Sequence, residues 1–319
     1  MSRFFKNIVL FLPFAVLMYL VFITIWGGFV PQFLRRNMVA PQGLHFTYER
    51  LQEVKTMTDI DILFTGNSRT YRSFDTRIFR EAGLNTFNLG TSAQTFLQTE
   101  MLLKRYLQQL NPRLVVVEVS FVSFTVDGLQ SAMDIIANDV HDRYAWQMMR
   151  HYNDIRLYNT WLYSTIWNFM RRNRIPWGID TFQKNLYARL RGADTYIPGG
   201  FVEKELRHFR WVRYRSTYLD FREDMFEALE RTLELIRQNG SHIMLVQVPY
   251  TQGIFNSIAN RDYFDERMRS HNVPYYNFNR FMPLDDALHF YDAVHLNQTG
   301  AEIFSTAFAE GMIRLGIFD

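Results

Sequence analysis

Residues 114–119 read Leu114-Val115-Val116-Val117-Glu118-Val119, an apolar run with almost no polar alternation. A strand of that composition has to be covered on both faces, the condition of a parallel sheet with helices on either side. Residues 60–65 and 84–89 are further short runs of this kind, closed by Gly66 and Gly90. Residues 242–248 form a fourth, stopped by Pro249, and a fifth strand is expected at 274–278. Between them, apolar residues recur at helical spacing over 74–82, ending at Gly83, and over 96–110, stopped by Asn111-Pro112. The same spacing returns over 221–238, ending at Gly240, and over 263–269. A short helix is expected around 48–54, and a last one over 299–315, where Thr299 and Glu302 stand at capping-box spacing. Strand and helix alternating with short links predict an α/β fold built on a parallel sheet.

Residues 121–220 interrupt this pattern. They show no sheet signal and read as helices and loops. They hold Trp146, Trp161, Trp167, Trp177 and Trp211, and Lys and Arg outnumber Asp and Glu within them. Two readings stand: a helical insertion with a Trp-rich core, or a surface that meets a membrane interface or a membrane partner, where Trp, Tyr and Arg are favoured.

The N-terminal end carries a different signal. Residues 8–30 contain no charge and would span roughly 34 Å as a helix. A cleaved signal peptide has a shorter apolar core and a small-residue cleavage site. Here Gly27-Gly28 is the only small pair, and Trp26 and Phe29 flank it. Residues 1–36 are therefore expected to be a cytoplasmic tip and an uncleaved single-pass anchor, with residues 37–319 as the main domain. Arg3 and Lys6 before the span, against Arg35 and Arg36 after it, lean toward a cytoplasmic N-terminus. The main domain would then lie outside the cytoplasmic membrane, periplasmic or extracellular. With no cysteine, disulfides, thiolate metal sites and cysteine nucleophiles are excluded, and a net charge of +3 gives no reason to expect nucleic acid as a partner.

The chemistry-bearing stretch is Gly66-Asn67-Ser68-Arg69, at the end of the first strand. Ser68 would be exposed at the carboxyl edge of a parallel sheet, where ligands bind in open α/β folds. A serine there can also simply cap the next helix. A hydroxyl becomes a useful nucleophile only with a base in reach and a third group to orient that base. Asp292-Ala293-Val294-His295 supplies both, in a turn between the last strand and the last helix. His289 and the His141-Asp142 pair have no such context, and no histidine and carboxylate spacing suits zinc. No cofactor or metal is expected.

Gly66-Asn67-Ser68, the glycine of Asn88-Leu89-Gly90, and Asp292-Ala293-Val294-His295-Leu296 with Gly300 resemble blocks I, II and V of the SGNH (GDSL-like) hydrolase superfamily. The resemblance covers residues 60–120 and 221–315 and implies a flavodoxin-like three-layer α/β/α fold. With an anchor in front, the chain is similar to membrane-tethered members such as the D-alanyl-lipoteichoic-acid transfer protein and the alginate O-acetylation proteins. The resemblance implies Ser68 as nucleophile, His295 as general base and Asp292 as its orienting partner. It also implies that the backbone N–H groups of Ser68 and Gly90 hold the oxyanion. One departure stands out: the third block's asparagine is missing, and the strand end reads Glu118-Val119-Ser120-Phe121, with Ser120 as the nearest substitute donor.

The expected function is a membrane-anchored serine acyltransferase or esterase acting on an acyl group of an envelope glycan or polymer. It would work beside a membrane-bound O-acyltransferase. The alternative is a non-catalytic or weakly catalytic partner subunit that docks an acyltransferase or binds glycan, supported by the missing asparagine.

Overall fold

The computed structural model describes residues 2–31, 33–43, 45–175, 191–192, 194–204, 206–207, 209–210, 212–282 and 284–316. Trp177 and Trp211 lie outside the described residues. The chain forms two compact units, one of residues 1–44 and 133–191, the other of residues 45–132 and 192–319.

The larger unit is built on five parallel strands: β1 (Ile62–Thr65), β2 (Thr86–Asn88), β3 (Leu114–Glu118), β6 (His242–Gln247) and β7 (Tyr275–Asn277). Their order is β2-β1-β3-β6-β7. The chain steps outward from β1 to β2, then back across β1 to β3 and on in the other direction. The reversal leaves a crevice at the carboxyl ends of β1 and β3, which is where an open α/β sheet receives ligands. All of β1 and β3 is buried, as their unbroken apolar composition requires.

On one face Ile62, Phe64, Leu114, Val116, Met244 and Val246 pack against Phe74, Phe79, Phe304 and Phe308. The phenylalanines come from α3 (Ser68–Ser73), α4 (Thr76–Glu81) and their surroundings, and from α13 (Gln298–Arg314). Phe64 stacks on Phe74 at 4.2 Å, and Phe74 meets Phe304 edge-on at 5.2 Å. Each ring so buried contributes on the order of 1.5–3 kcal/mol. The other face is covered by α5 (Phe96–Leu110) and α9 (Glu223–Gln238), which pack on each other. The unit is thus a three-layer α/β/α arrangement around a parallel sheet.

Three sequence expectations change here. The pattern over 74–82 narrows to α4, capped by Asp75, whose Oδ1 accepts from Arg77 N, and a separate short helix, α3, precedes it, capped by Asn67, whose Oδ1 accepts from Arg69 N. The last helix is capped by Asn297, whose Oδ1 accepts from Gly300 N at 2.9 Å, rather than by Thr299. Residues 121–220 are not free of strand: β4 (Thr195–Ile197) and β5 (Phe201–Glu203) form an antiparallel hairpin. Its strands are three residues long, too short to show a period. Gly199 and Gly200 turn it at positive φ, 98° and 90°.

In the smaller unit, α1 (Ser2–Phe29) is long and apolar over Phe4–Phe29, enough to cross a membrane, and contains Pro13. With it belong the end of α6 (Leu129–Asn138), α7 (Arg143–Tyr152) and α8 (Ile155–Arg172). Trp146 and Trp161 pack at 5.1 Å, and Trp167 is buried.

Candidate active site

β1 ends at Thr65 and the chain turns at Gly66, φ 149°. A Cβ there would lie 2.3 Å from Thr70 Oγ1 and 2.9 Å from Glu118 Cβ, so only glycine fits. The next residue, Asn67, accepts from Arg69 N at 2.9 Å and so starts α3. Ser68 follows as the first helical residue, partly exposed between the buried Asn67 and Arg69. The turn and cap together present the hydroxyl at the carboxyl edge of the sheet.

Residues 289–297 bring the imidazole to it. Asn297, fully buried, donates from Nδ2 to Leu288 O at 2.8 Å and to Arg207 O at 3.1 Å. Its backbone N–H donates to His289 O at 3.1 Å, and Tyr291 N to His295 O at 2.9 Å, closing the loop on itself. Gly300 explains itself by contact: a Cβ would lie 2.1 Å from His289 O. His289 stays within this loop, its Nδ1 accepting from Asp285 N at 2.9 Å.

Ser68 Oγ and His295 Nε2 are 2.8 Å apart. His295 Nδ1 lies 2.8 Å from Asp292 Oδ2 and 3.1 Å from Oδ1. Asp292 Oδ1 also accepts from the backbone N–H of Val294 at 2.9 Å and of His295 at 2.8 Å. Burial alone would raise the Asp292 carboxyl, but the hydrogen bond and charge of His295, with those two N–H donors, outweigh it and hold the group at about 2. The carboxylate therefore stays ionised and accepts a hydrogen bond from Nδ1–H, which keeps the proton on Nδ1 and leaves Nε2 as the acceptor facing Ser68. Burial pushes the His295 imidazole below its ordinary value against the pull of Asp292, and Arg72 and Arg69 push it the same way. At neutral pH the ring is uncharged, the state a general base needs.

The other two expected residues are placed differently. Gly90 does lie against the nucleophile turn, where a Cβ would come within 3.0 Å of the Gly66 and Asn67 carbonyl oxygens. Its N–H, however, donates to Asn88 Oδ1 at 3.2 Å rather than standing open. Ser120 is fully buried, with Oγ taken by Asn67 Nδ2 and lying 3.1 Å from Ser123 Oγ. It supports Asn67 from below and presents no donor at Ser68. The Ser68 N–H, at the first position of α3, has no carbonyl partner within its own helix and points out of its N-terminus.

Arg69 is a residue that sequence reading passed over. Its guanidinium is buried, stacks 3.3 Å from the Tyr250 ring centroid, and pairs through Nε with Glu118 Oε1 at 3.2 Å. Nη2 donates to the Val248 and Pro249 carbonyls, and Nη1 to Val294 O at 2.9 Å. The residue after the nucleophile therefore holds the carbonyl before the base. Thr251 Oγ1 holds the preceding carbonyl, Ala293 O, at 2.9 Å. Burial pushes the Glu118 carboxyl up to about 7 in spite of Arg69. A side chain that reaches the ends of β3 and β6 and the loop of His295 has no signature in a linear pattern; its place directly after Ser68 was the only hint.

Beside the site, Arg72 Nη2 pairs with Asp194 Oδ2 at 2.8 Å and Lys204 Nζ with Asp194 Oδ1 at 2.8 Å. Burial first, then Arg72 and Arg50, lower the nearby His45 to about 4.

No protein-family model matches the chain, and no curated protein matches it. Among solved structures, it is similar to a GDSL-like lipase from Bacteroides thetaiotaomicron VPI-5482, at 14% identity and a TM-score of 0.42 over 85% of this chain and 99% of that one. It is also similar to a catalytic mutant of an acetylxylan esterase from Geobacillus stearothermophilus, at 12% identity and a TM-score of 0.40 over 80% and 95%. Both likenesses are remote, and the site stands on its own geometry.

Proposed function

We propose that the chain is a serine esterase or acyltransferase of the SGNH kind, with Ser68 as nucleophile, His295 as general base and Asp292 as the group that orients it. The observation that carries this is the Ser68–His295–Asp292 chain of hydrogen bonds, 2.8 Å at each link, assembled from loops 227 residues apart. Ser68 Oγ attacks the carbonyl carbon of an ester while its proton passes to His295 Nε2. The oxyanion that forms faces the Ser68 N–H. His295 then returns the proton to the departing alkoxide, leaving an acyl group on Ser68. Water or an acceptor hydroxyl, deprotonated by the same imidazole, removes the acyl group and restores the serine.

The substrate is an O-acylated glycan or polymer of the cell envelope, reached from a domain tethered by α1, with a membrane-bound O-acyltransferase as partner. Retention of α1 as an anchor is supported by its packing: Ile23 and Gly27 are buried, with Gly27 against the Tyr163 ring. A second reading, a weakly catalytic partner subunit, is favoured by the engagement of Gly90 N–H and Ser120 Oγ, which leaves few donors for an oxyanion. Loss of one such donor costs about 10²–10³ in rate.

Hydrolysis of p-nitrophenyl acetate and of acetylated glycan by the purified chain separates these readings. Turnover is expected in the wild type and absent in a folded Ser68→Ala variant. Turnover that persists in Ser68→Ala would refute the nucleophile, and none in either protein would favour the partner subunit.

A further inference from the structure

The smaller unit carries a surface that the acyl-transfer chemistry does not use. Tyr19, well inside the apolar length of α1, donates through its hydroxyl to Asn159 Oδ1 on α8. Further along, a Cβ at Gly27 would lie 2.3 Å from Tyr163 Cδ2, so helix and ring are in close contact. Val39 N donates to Thr160 Oγ1 at 3.0 Å, and Asn159 Nδ2 to Asn37 O at 3.4 Å. These contacts fix residues 159–163 of α8 to α1 and to the segment that follows it. The pairs Tyr19–Asn159 and Gly27–Tyr163 ascend both helices together, so the start of α8 is the end nearer the middle of α1.

That register decides where the bilayer surface falls. From Lys6 to Tyr19 there is only about 18–20 Å of helix, whereas a hydrocarbon core is about 30 Å thick. A span that begins near Lys6 therefore ends beyond Tyr19, close to Trp26. Tyr19 stays about 10 Å below that surface, and its bond to Asn159 draws the start of α8 down to the edge of the hydrocarbon. The corner between α7 and α8 comes with it. This corner presents Ile155, 65% exposed, beside the half-buried Tyr152 and the exposed Arg150 and His151 of the last turn of α7. An apolar group flanked by an aromatic and by the Arg150 cation is the composition of a lipid interface.

We propose that the α7–α8 corner, residues 150–156, dips into the boundary between the lipid headgroups and the hydrocarbon beside the anchor, so that this unit is seated in the bilayer surface. The proposal rests on α1 being a retained membrane anchor. It does not depend on Ser68 being catalytic.

The chain contains no cysteine, so single introduced cysteines report from one position each. The full chain is reconstituted in phosphatidylcholine and phosphatidylglycerol vesicles as Phe14→Cys, Arg150→Cys, Ile155→Cys and Phe169→Cys. Each variant carries a nitrobenzoxadiazole label, and quenching by lipids with a headgroup nitroxide or a mid-chain nitroxide is measured. Phe14→Cys is expected to be quenched by the mid-chain lipid. Arg150→Cys and Ile155→Cys should be quenched by the headgroup lipid at least twofold more than Phe169→Cys, an exposed position toward the far end of α8. If Phe14→Cys is quenched while both corner positions match Phe169→Cys, the corner is off the bilayer and the proposal is overturned with the anchor intact. If Phe14→Cys is not quenched, the anchor fails and the proposal falls with it. Arg150 is exposed, so a folding defect in Ile155→Cys alone leaves the test standing.

Discussion

His295 sets how the site responds to pH. Its imidazole is held below the ordinary value by burial, so the base stays neutral into mildly acid solution. Ser68 acylation is accordingly expected to fall off only below a midpoint that is itself lower than 6.5, measured as the rate of ester cleavage against pH. Asp292→Asn removes the charge that holds the proton on Nδ1. By analogy with other serine triads it should cost about 10³–10⁴ in turnover. The same change removes the one influence that raises the imidazole's affinity for protons, so the acid limb should move to still lower pH. Glu118 behaves in the opposite sense. Its folded-state value, about 7 against an ordinary 4.5, means that the unfolded chain releases the proton first. Glu118 therefore lowers stability as pH rises from about 4.5 to about 7, and this contribution is absent in Glu118→Gln. The stability advantage of the wild type over Glu118→Gln, read from urea midpoints, should narrow across that interval. An advantage that widened would contradict the assignment.

At the scale of elements, the loop of residues 289–297 matters most, because it carries the base. Asn297 closes it with three side-chain hydrogen bonds and caps α13 with one of them. Asn297→Ala is expected to lower stability by about 2–3 kcal/mol, more than a surface cap, since a fully buried side chain and its two bonds to the Arg207 and Leu288 carbonyls are lost along with the cap. It should also lower turnover while leaving the sheet intact, checked by thermal unfolding and by activity on the folded fraction. Gly66→Ala should be worse, as its Cβ would meet both Thr70 and Glu118. The sequence announced elements where the ends are chemically marked. α5 was legible to the residue because Thr95 and Gln98 form its capping box and Asn111, at φ 42°, ends it. α3 was legible only as a helix start at Ser68, its extent hidden because Ser68-Arg69-Thr70-Tyr71-Arg72-Ser73 has no apolar period. The hairpin of β4 and β5 was hidden by its brevity.

For the molecule as a whole, the parallel sheet and its helical layers were written in the buried runs of β1, β3 and β6. The order β2-β1-β3-β6-β7 then does what the chain's length obscures: it makes the ends of β1, β3 and β6 neighbours, so that loops from distant stretches share one edge. Arg69 spans those ends and holds the loop of His295 in place, a role visible only once the strands are side by side. The account stands or falls on whether this edge produces a reactive serine. The most direct measurement is fluorophosphonate labelling of the folded chain, with the adduct located by peptide mass spectrometry. A single adduct on Ser68, lost in His295→Gln as well as in Ser68→Ala, is the predicted result. A folded wild-type chain that takes up no label, or an adduct on Ser68 that forms as fast in His295→Gln, would contradict it.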